Sequence, residues 1–182
     1  MVLAHKSALG GVLFELKSWA RFVLPSMYFA VFYPSSLSTV ERMLNLTECG
    51  PKDTLYDLGA GDGRVLIAAA KRGAKAIGYE LDAELVATAH QAIAQHPEAA
   101  RLCQMVQGDA STADVSSATI IALYLSDQGN TRLMRALHPT LRPGTKVVSN
   151  FFPITGWDRH LMKTCFADPS TGPLHLYQVP KQ

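Results

Sequence analysis

The chain has 182 residues, 48% of them hydrophobic and 18% charged, so it can bury a full core in one domain and is too apolar to be disordered. A formal net charge of +2 with no basic stripe gives no reason to expect a nucleic-acid partner. The six histidines show no metal-ligand spacing, and Cys49, Cys103 and Cys165 are far apart and odd in number. No metal site or disulfide framework is therefore expected, and the thiols read as inert in a reduced compartment.

Residues 8–33 are apolar and aromatic but interrupted by Glu15, Lys17 and Arg21. The uncharged stretch from Phe22 to Tyr33 is shorter than the ~20 residues a spanning helix needs, and Pro25 breaks it. It also lacks the pattern of a secretory signal. Residues 1–33 are expected to form an apolar helical segment, either packed on the domain as a lid or lying on a membrane surface. Trp19, Phe22, Tyr28 and Phe29 beside Lys17 and Arg21 suit the second. The expected location is the cytoplasm, free or peripheral at a membrane.

From residue 34 onward one domain is expected, with helix and strand alternating. Leu37 to Leu46 has a helical apolar period, with Ser36 or Ser38 as cap and Glu41 as the capping partner of Ser38. Gly50-Pro51 stops it. Thr54 to Leu58 reads as a strand, Val65 to Arg72 as a helix ended by Gly73, and Ala76 to Tyr79 as a second strand. A helix over Ala83 to Gln95 and a strand over Leu102 to Val106 follow. Ala118 to Tyr124 is a continuous apolar run, as in a central parallel strand covered on both faces. Then come a helix over Asn130 to Leu141, which His138-Pro139 can shorten, a turn at Pro143-Gly144, and a strand over Lys146 to Ser149. Leu174 to Val179 reads as a last strand, with a partner around Met162 to Phe166. The pattern predicts an α/β fold: a mostly parallel sheet, helices on both faces, and an antiparallel C-terminal strand.

The turn Asp57-Leu58-Gly59-Ala60-Gly61-Asp62-Gly63 falls between the first strand and the next helix. Glycines there let the backbone bend sharply and approach a ligand, and the helix that begins near Gly63 aims free N–H groups at the same spot. Such turns often cradle a pyrophosphate. This one has G-x-G-x-G spacing, an acid before it and Asp62 within it. Carboxylates oppose a pyrophosphate and suit a ligand with an ammonium group, such as the methionine part of S-adenosylmethionine. Glu80 ends the second strand, ahead of Leu81, where a carboxylate can accept ribose hydroxyls. Asp109, after the third strand, is placed to meet an adenine amino group, or to cap its loop. The expected cofactor set is Asp57, Gly59, Ala60, Gly61, Gly63, Glu80, Leu81 and Asp109. A nicotinamide cofactor is disfavoured by the spacing and by Asp57.

Taken together, Tyr56 to Arg64, Ala68-Ala69-Ala70-Lys71 and Gly78-Tyr79-Glu80-Leu81 resemble class I methyltransferases. With Tyr33-Pro34 before a helix containing Val40-Glu41, and Ser149-Asn150-Phe151-Phe152-Pro153 followed by Trp157, the chain is similar to a narrower family. This is the small protein-lysine methyltransferases that include the mitochondrial enzymes for the ATP synthase c subunit and the adenine nucleotide translocase. The likeness runs from about Tyr33 to Val179. It implies a Rossmann-like class I methyltransferase fold, S-adenosylmethionine as cofactor, and a lysine amine of a protein as acceptor, with a membrane-associated target as one expectation. Asp82-Ala83-Glu84 stands where the family pattern usually has Asn-Pro-Trp.

The ends of the fourth and fifth strands should face the methyl group. Tyr124, Asn150, Phe151 and Phe152 are the acceptor-side candidates, since aromatic walls suit a long aliphatic amine. Core packing is the alternative for the three aromatics. No Asn/Asp-Pro-Pro-Tyr follows the fourth strand, which argues against amino-methylation of adenine or glutamine by that arrangement. No general base is assigned. A small-molecule methyltransferase and a non-catalytic cofactor-binding module remain as alternatives.

Overall fold

The computed structural model describes residues 33–166 and 172–180. The apolar segment expected before Tyr33 lies outside these. Ser36, in an extended conformation, accepts the Thr39 N–H at 3.1 Å and starts α1 (Leu37–Leu46), which buries Val40, Met43 and Leu44. Ser36, not Ser38, is the cap. Glu41 plays no part in it and instead pairs with Arg72 at the end of the next helix.

The remaining elements follow the expected order: β1 (Thr54–Leu58), α2 (Arg64–Lys71), β2 (Lys75–Glu80), α3 (Ala83–Ala94), the single turn α4 (Pro97–Ala100), β3 (Cys103–Gln107), β4 (Ile120–Leu123), α5 (Asp127–Leu137), β5 (Lys146–Asn150), β6 (Leu161–Cys165) and β7 (Leu174–Gln178). Helix α5 starts three residues earlier than its periodicity suggests. Ser126 accepts the Gly129 N–H at 3.0 Å and Asp127 sits in the positive first turn. It stops at Leu137 because Pro139 has no N–H to continue it, and a 3-10 turn (His138–Thr140) follows. Asp82, in the triplet that departs from the family pattern, caps α3 by accepting the Glu84 and Leu85 N–H groups.

The strands form one sheet in the order β3-β2-β1-β4-β5-β7-β6. The first five pair in parallel, and β7 is antiparallel to both β5 and β6. Side chains alternate between two cores. Leu55, Ala76, Ile120, Ala122 and Val148 pack with α1 and α2. Tyr56, Leu58, Ile77, Ile121, Leu123 and Val147 pack with Leu133, Met134 and Leu137 of α5. Helices therefore cover both faces, and β4 is buried at every position. The chain leaves β1 toward β2 and β3 and returns to β4 on the other side. The switch point, where such sheets bind ligands, lies at the carboxyl ends of β1 and β4.

Candidate active site

At that switch point the chain turns tightly on its neighbour. Gly59 N–H and Ala60 N–H both donate to Tyr79 O of β2, each at 2.9 Å. Gly59, Gly61 and Gly63 have φ of 92°, 54° and 78°, a region side chains disfavour, and a Cβ on Gly59 would lie 2.8 Å from Leu125 Cδ2. The turn thereby forms one wall of an open cavity. Asp57, Gly59, Ala60, Gly61, Glu80, Leu81, Asp109 and Tyr124 line it, joined by Asp62, Arg64, Met43 of α1 and Tyr33, Pro34 and Ser35. Gly63 is not among its lining residues. It is the N-cap of α2, where a Cβ would meet Ala89 Cβ at 3.1 Å.

Four carboxylates face different circumstances. Asp57 is 6% exposed, and among the described residues no group donates to it. Burial, with the charges of Glu80 and Asp62 added, pushes its pKa up to about 7. Glu80 is held by the backbone: Gly61 N–H donates to Oε2 at 2.9 Å, and the Leu81 and Asp82 N–H groups donate to Oε1 at 2.8 and 3.0 Å. Those three bonds fix the carboxylate and use most of its roughly four acceptor positions. Burial would raise the Asp62 pKa, but hydrogen bonds and charge from Arg64 outweigh it and hold the carboxyl below its usual range. Asp62 therefore serves Arg64, and the uncompensated acid of the turn is Asp57. Asp109 both lines the cavity and caps its loop, accepting Ser111 N–H at 2.8 Å.

In the sequence Arg64 and Tyr33-Pro34 stood out only through the family likeness, without a role of their own at the site, and Ser35 was not singled out. Arg64 Nη1 donates to Ser35 O at 2.6 Å, tying the chain before α1 to the glycine turn. The signal for it was present: a cation at the first position of a helix opposes the dipole and needs a compensating partner. Ser35, 9% exposed, is held a second time where Asn150 Nδ2 donates to its Oγ at 3.0 Å.

Of the acceptor-side candidates, Tyr124 lines the cavity, half-buried. Its hydroxyl pKa is raised by burial and then by neighbouring Tyr33. Asn150 is buried and reaches the cavity through Ser35, while Phe152 is half-buried beside it. Phe151 is 46% exposed, so it is not core. Trp157 is buried against His138, His160 and Tyr177, in the core under the α5 face. Burial raises the Cys49 and Cys103 thiols to about 11, as expected for inert groups.

A model of the ANTKMT methyltransferase domain matches residues 57–160, from the acid before the turn to the end of the core segment around Trp157. The chain belongs to the ANTKMT methyltransferase domain family. It is 36% identical over 129 residues to a protein-lysine N-methyltransferase of Saccharolobus islandicus, covering 70% of this chain and 80% of that one. It is 31% identical over 124 residues to the mouse adenine nucleotide translocase lysine N-methyltransferase, covering 68% of this chain and 53% of the relative. Among solved structures, an RNA methyltransferase from Salinibacter ruber in complex with S-adenosyl-L-homocysteine superposes with a TM-score of 0.75. It is 36% identical and covers 82% of this chain and 95% of that one. A member of this family is an S-adenosylmethionine-dependent methyltransferase, and the sheet order and the antiparallel β7 are those of the class I fold the sequence led us to expect.

Proposed function

We propose that the cavity holds S-adenosylmethionine through Asp57, Gly59, Ala60, Gly61, Glu80, Leu81 and Asp109, with Gly63 supporting the turn, and that the methyl acceptor is a lysine amine of a protein. The single observation that carries the cofactor placement is the buried carboxylate of Asp57 beside Glu80, to which no group of the described residues donates. Such a group costs free energy unless a cation or donor meets it. The ammonium of the methionine part is such a cation, and the glycine turn leaves room for it. Glu80, held rigid by three N–H donors, has acceptor capacity left for a ribose hydroxyl. Asp109 accepts Ser111 N–H through Oδ1, and with no donor to Oδ2 among the described residues that oxygen suits the adenine amino group.

The cofactor supplies a methyl group on a sulfonium, transferred by direct displacement. The chain's own residues must then align a neutral amine with it, because an ammonium has no lone pair. A lysine begins near pKa 10.4, and an apolar passage lowers that value by desolvation. Leu123, Tyr124, Leu125 and Met43 give the cavity an apolar inner surface. Ring faces also stabilise the cation that results. Positioning supplies the rest of the rate. The lysine acceptor is supported by the names of the relatives from Saccharolobus and mouse. The printed name of the Salinibacter structure favours a second reading, an RNA acceptor.

Labelled S-adenosylmethionine incubated with the protein and cell extract separates these readings. Label expected in protein should survive ribonuclease and be recovered as methyl-lysine. Recovery only in RNA or in a small extractable product overturns the lysine reading. Calorimetry with S-adenosylmethionine and NAD tests the cofactor, and binding of NAD alone overturns it.

A further inference from the structure

The backbone around Phe151 is fixed at every polar group in a conformation that side chains avoid. Phe152 N–H donates to Asn150 O at 2.8 Å, closing a three-residue turn about Phe151 at φ 68°. A γ-turn of this hand is rare and strained. Phe151 N–H donates to Pro173 O at 2.8 Å, and the His175 ring lies 3.2 Å from Phe151 O. From the other side Asn130 of α5, fully buried, donates through Nδ2 to Ser149 Oγ at 2.9 Å and Phe152 O at 3.1 Å, while Ser149 Oγ donates to Phe152 O at 2.6 Å.

A glycine at 151 would make the same turn without strain. Strain of this kind persists only where its surroundings over-determine it, and it gathers where a side chain must occupy one place. Here it places a ring that packs over Gly172 and sits edge-on to Phe152, centroids 4.9 Å apart, yet stays 46% exposed. The ring is not among the residues that line the cavity, but the residue before it, Asn150, donates to Ser35 in the cavity wall. Asn150, Leu174 and Cys165 share one row across β5, β7 and β6, and Phe166, 80% exposed, follows Cys165 as Phe151 follows Asn150. Two exposed phenylalanines thus extend beyond the same sheet edge, on the side where β4 and β5 end.

We infer that Phe151 is a specificity-determining residue, whose ring receives an apolar side chain next to the acceptor lysine, and that Asn130 is the positioning residue that holds its turn. This rests on the lysine reading and names the kind of sequence that reading requires: a lysine with an apolar neighbour.

The test uses the full chain, S-adenosylmethionine and two synthetic peptides, one with a lysine flanked by leucines and one with a lysine flanked by glycines. Wild type should prefer the leucine-flanked peptide by KM. Phe151→Gly should raise that KM about tenfold, as for loss of a buried apolar contact, with kcat and cofactor affinity within about twofold. Phe151→Leu should recover most of the loss. Asn130→Ala should raise the same KM, and the double variant should add little, because the two act on one ring. Turnover by wild type with no peptide preference, or an unchanged KM in Phe151→Gly, overturns the inference and leaves the lysine reading intact. A fall in kcat and cofactor affinity together in Asn130→Ala overturns the positioning role. Cofactor binding with no turnover of either peptide counts against both the lysine reading and the inference.

Discussion

Two turns at strand ends, the glycine turn after β1 and the turn at Phe151 after β5, both need positive φ and meet that need in opposite ways. After β1 the chain uses glycine at each such position, φ 92°, 54° and 78°, so the bend costs little and no side chain intrudes on the cavity. After β5 it keeps a phenylalanine at φ 68° and surrounds it with hydrogen bonds. The first turn is shaped by what is missing, the second by a ring that has to be present. A turn that clears space for a ligand takes glycine, whereas a turn that presents a side chain must carry the strain.

The sharpest way to probe the first turn is through the charge it leaves buried. Asp57 has its pKa raised from 3.8 to about 7 in the ligand-free protein. Between those values the folded chain holds a proton that the unfolded chain has lost, so stability falls as pH rises through that window. By linkage the penalty above pH 7 is up to about 4 kcal/mol. Asp57→Asn should therefore raise the ligand-free melting temperature at pH 8 and have little effect at pH 4. Equal effects at both pH values would contradict the buried charge.

The same carboxylate should serve the ligand. Asp57→Ala should weaken S-adenosylmethionine binding by about 1.5–3 kcal/mol, measured by calorimetry, as for a lost charged hydrogen bond. A protein stabilised by Asn at position 57 yet poorer at binding would mark the site as a trade of stability for function. Because the bound ammonium favours the ionised form, wild-type affinity should drop about fivefold between pH 7 and pH 6, with proton release on binding tracked in buffers of different ionisation enthalpy. An affinity flat across that range would exclude Asp57 as the partner of a cation.

The smallest effect belongs to the second turn. At an ordinary helical position alanine is more stable than glycine, but at φ 68° the order should invert. Phe151→Gly should be more stable than Phe151→Ala by about 1 kcal/mol in urea unfolding, both variants having lost the ring equally. If alanine proves the more stable, the turn is unstrained and the contrast between the two regions fails.

Much of the fold could be read in the chain because its signals are local. The period of Leu37 to Leu46 and the apolar run of β4 depend only on residues close in sequence, and α1 and β1 have the expected bounds. The acids Asp57, Glu80 and Asp109 were legible because each stands where a short apolar strand run closes. What escaped the reading depends on contacts between distant segments. Asn130 looked like an ordinary helix start, since its partners Ser149 and Phe152 are 19 and 22 residues away. The positive φ of Phe151 leaves no compositional trace, because the hydrogen bonds that impose it come from α5, β7 and the segment at Pro173. Asp62 looked like a second charge for the ligand until Arg64 was found to hold it.

Strand β7 sits between β5 and β6, although it follows both in the chain. During synthesis, at about 5–20 residues per second, β6 emerges with no neighbour to pair with and waits for residues 174–178 to leave the ribosome. The strands β3, β2, β1 and β4 have all their partners by then, while β5 still lacks β7. The cofactor turn, between β1 and α2, can thus form before the strand that leads to Phe166 is paired.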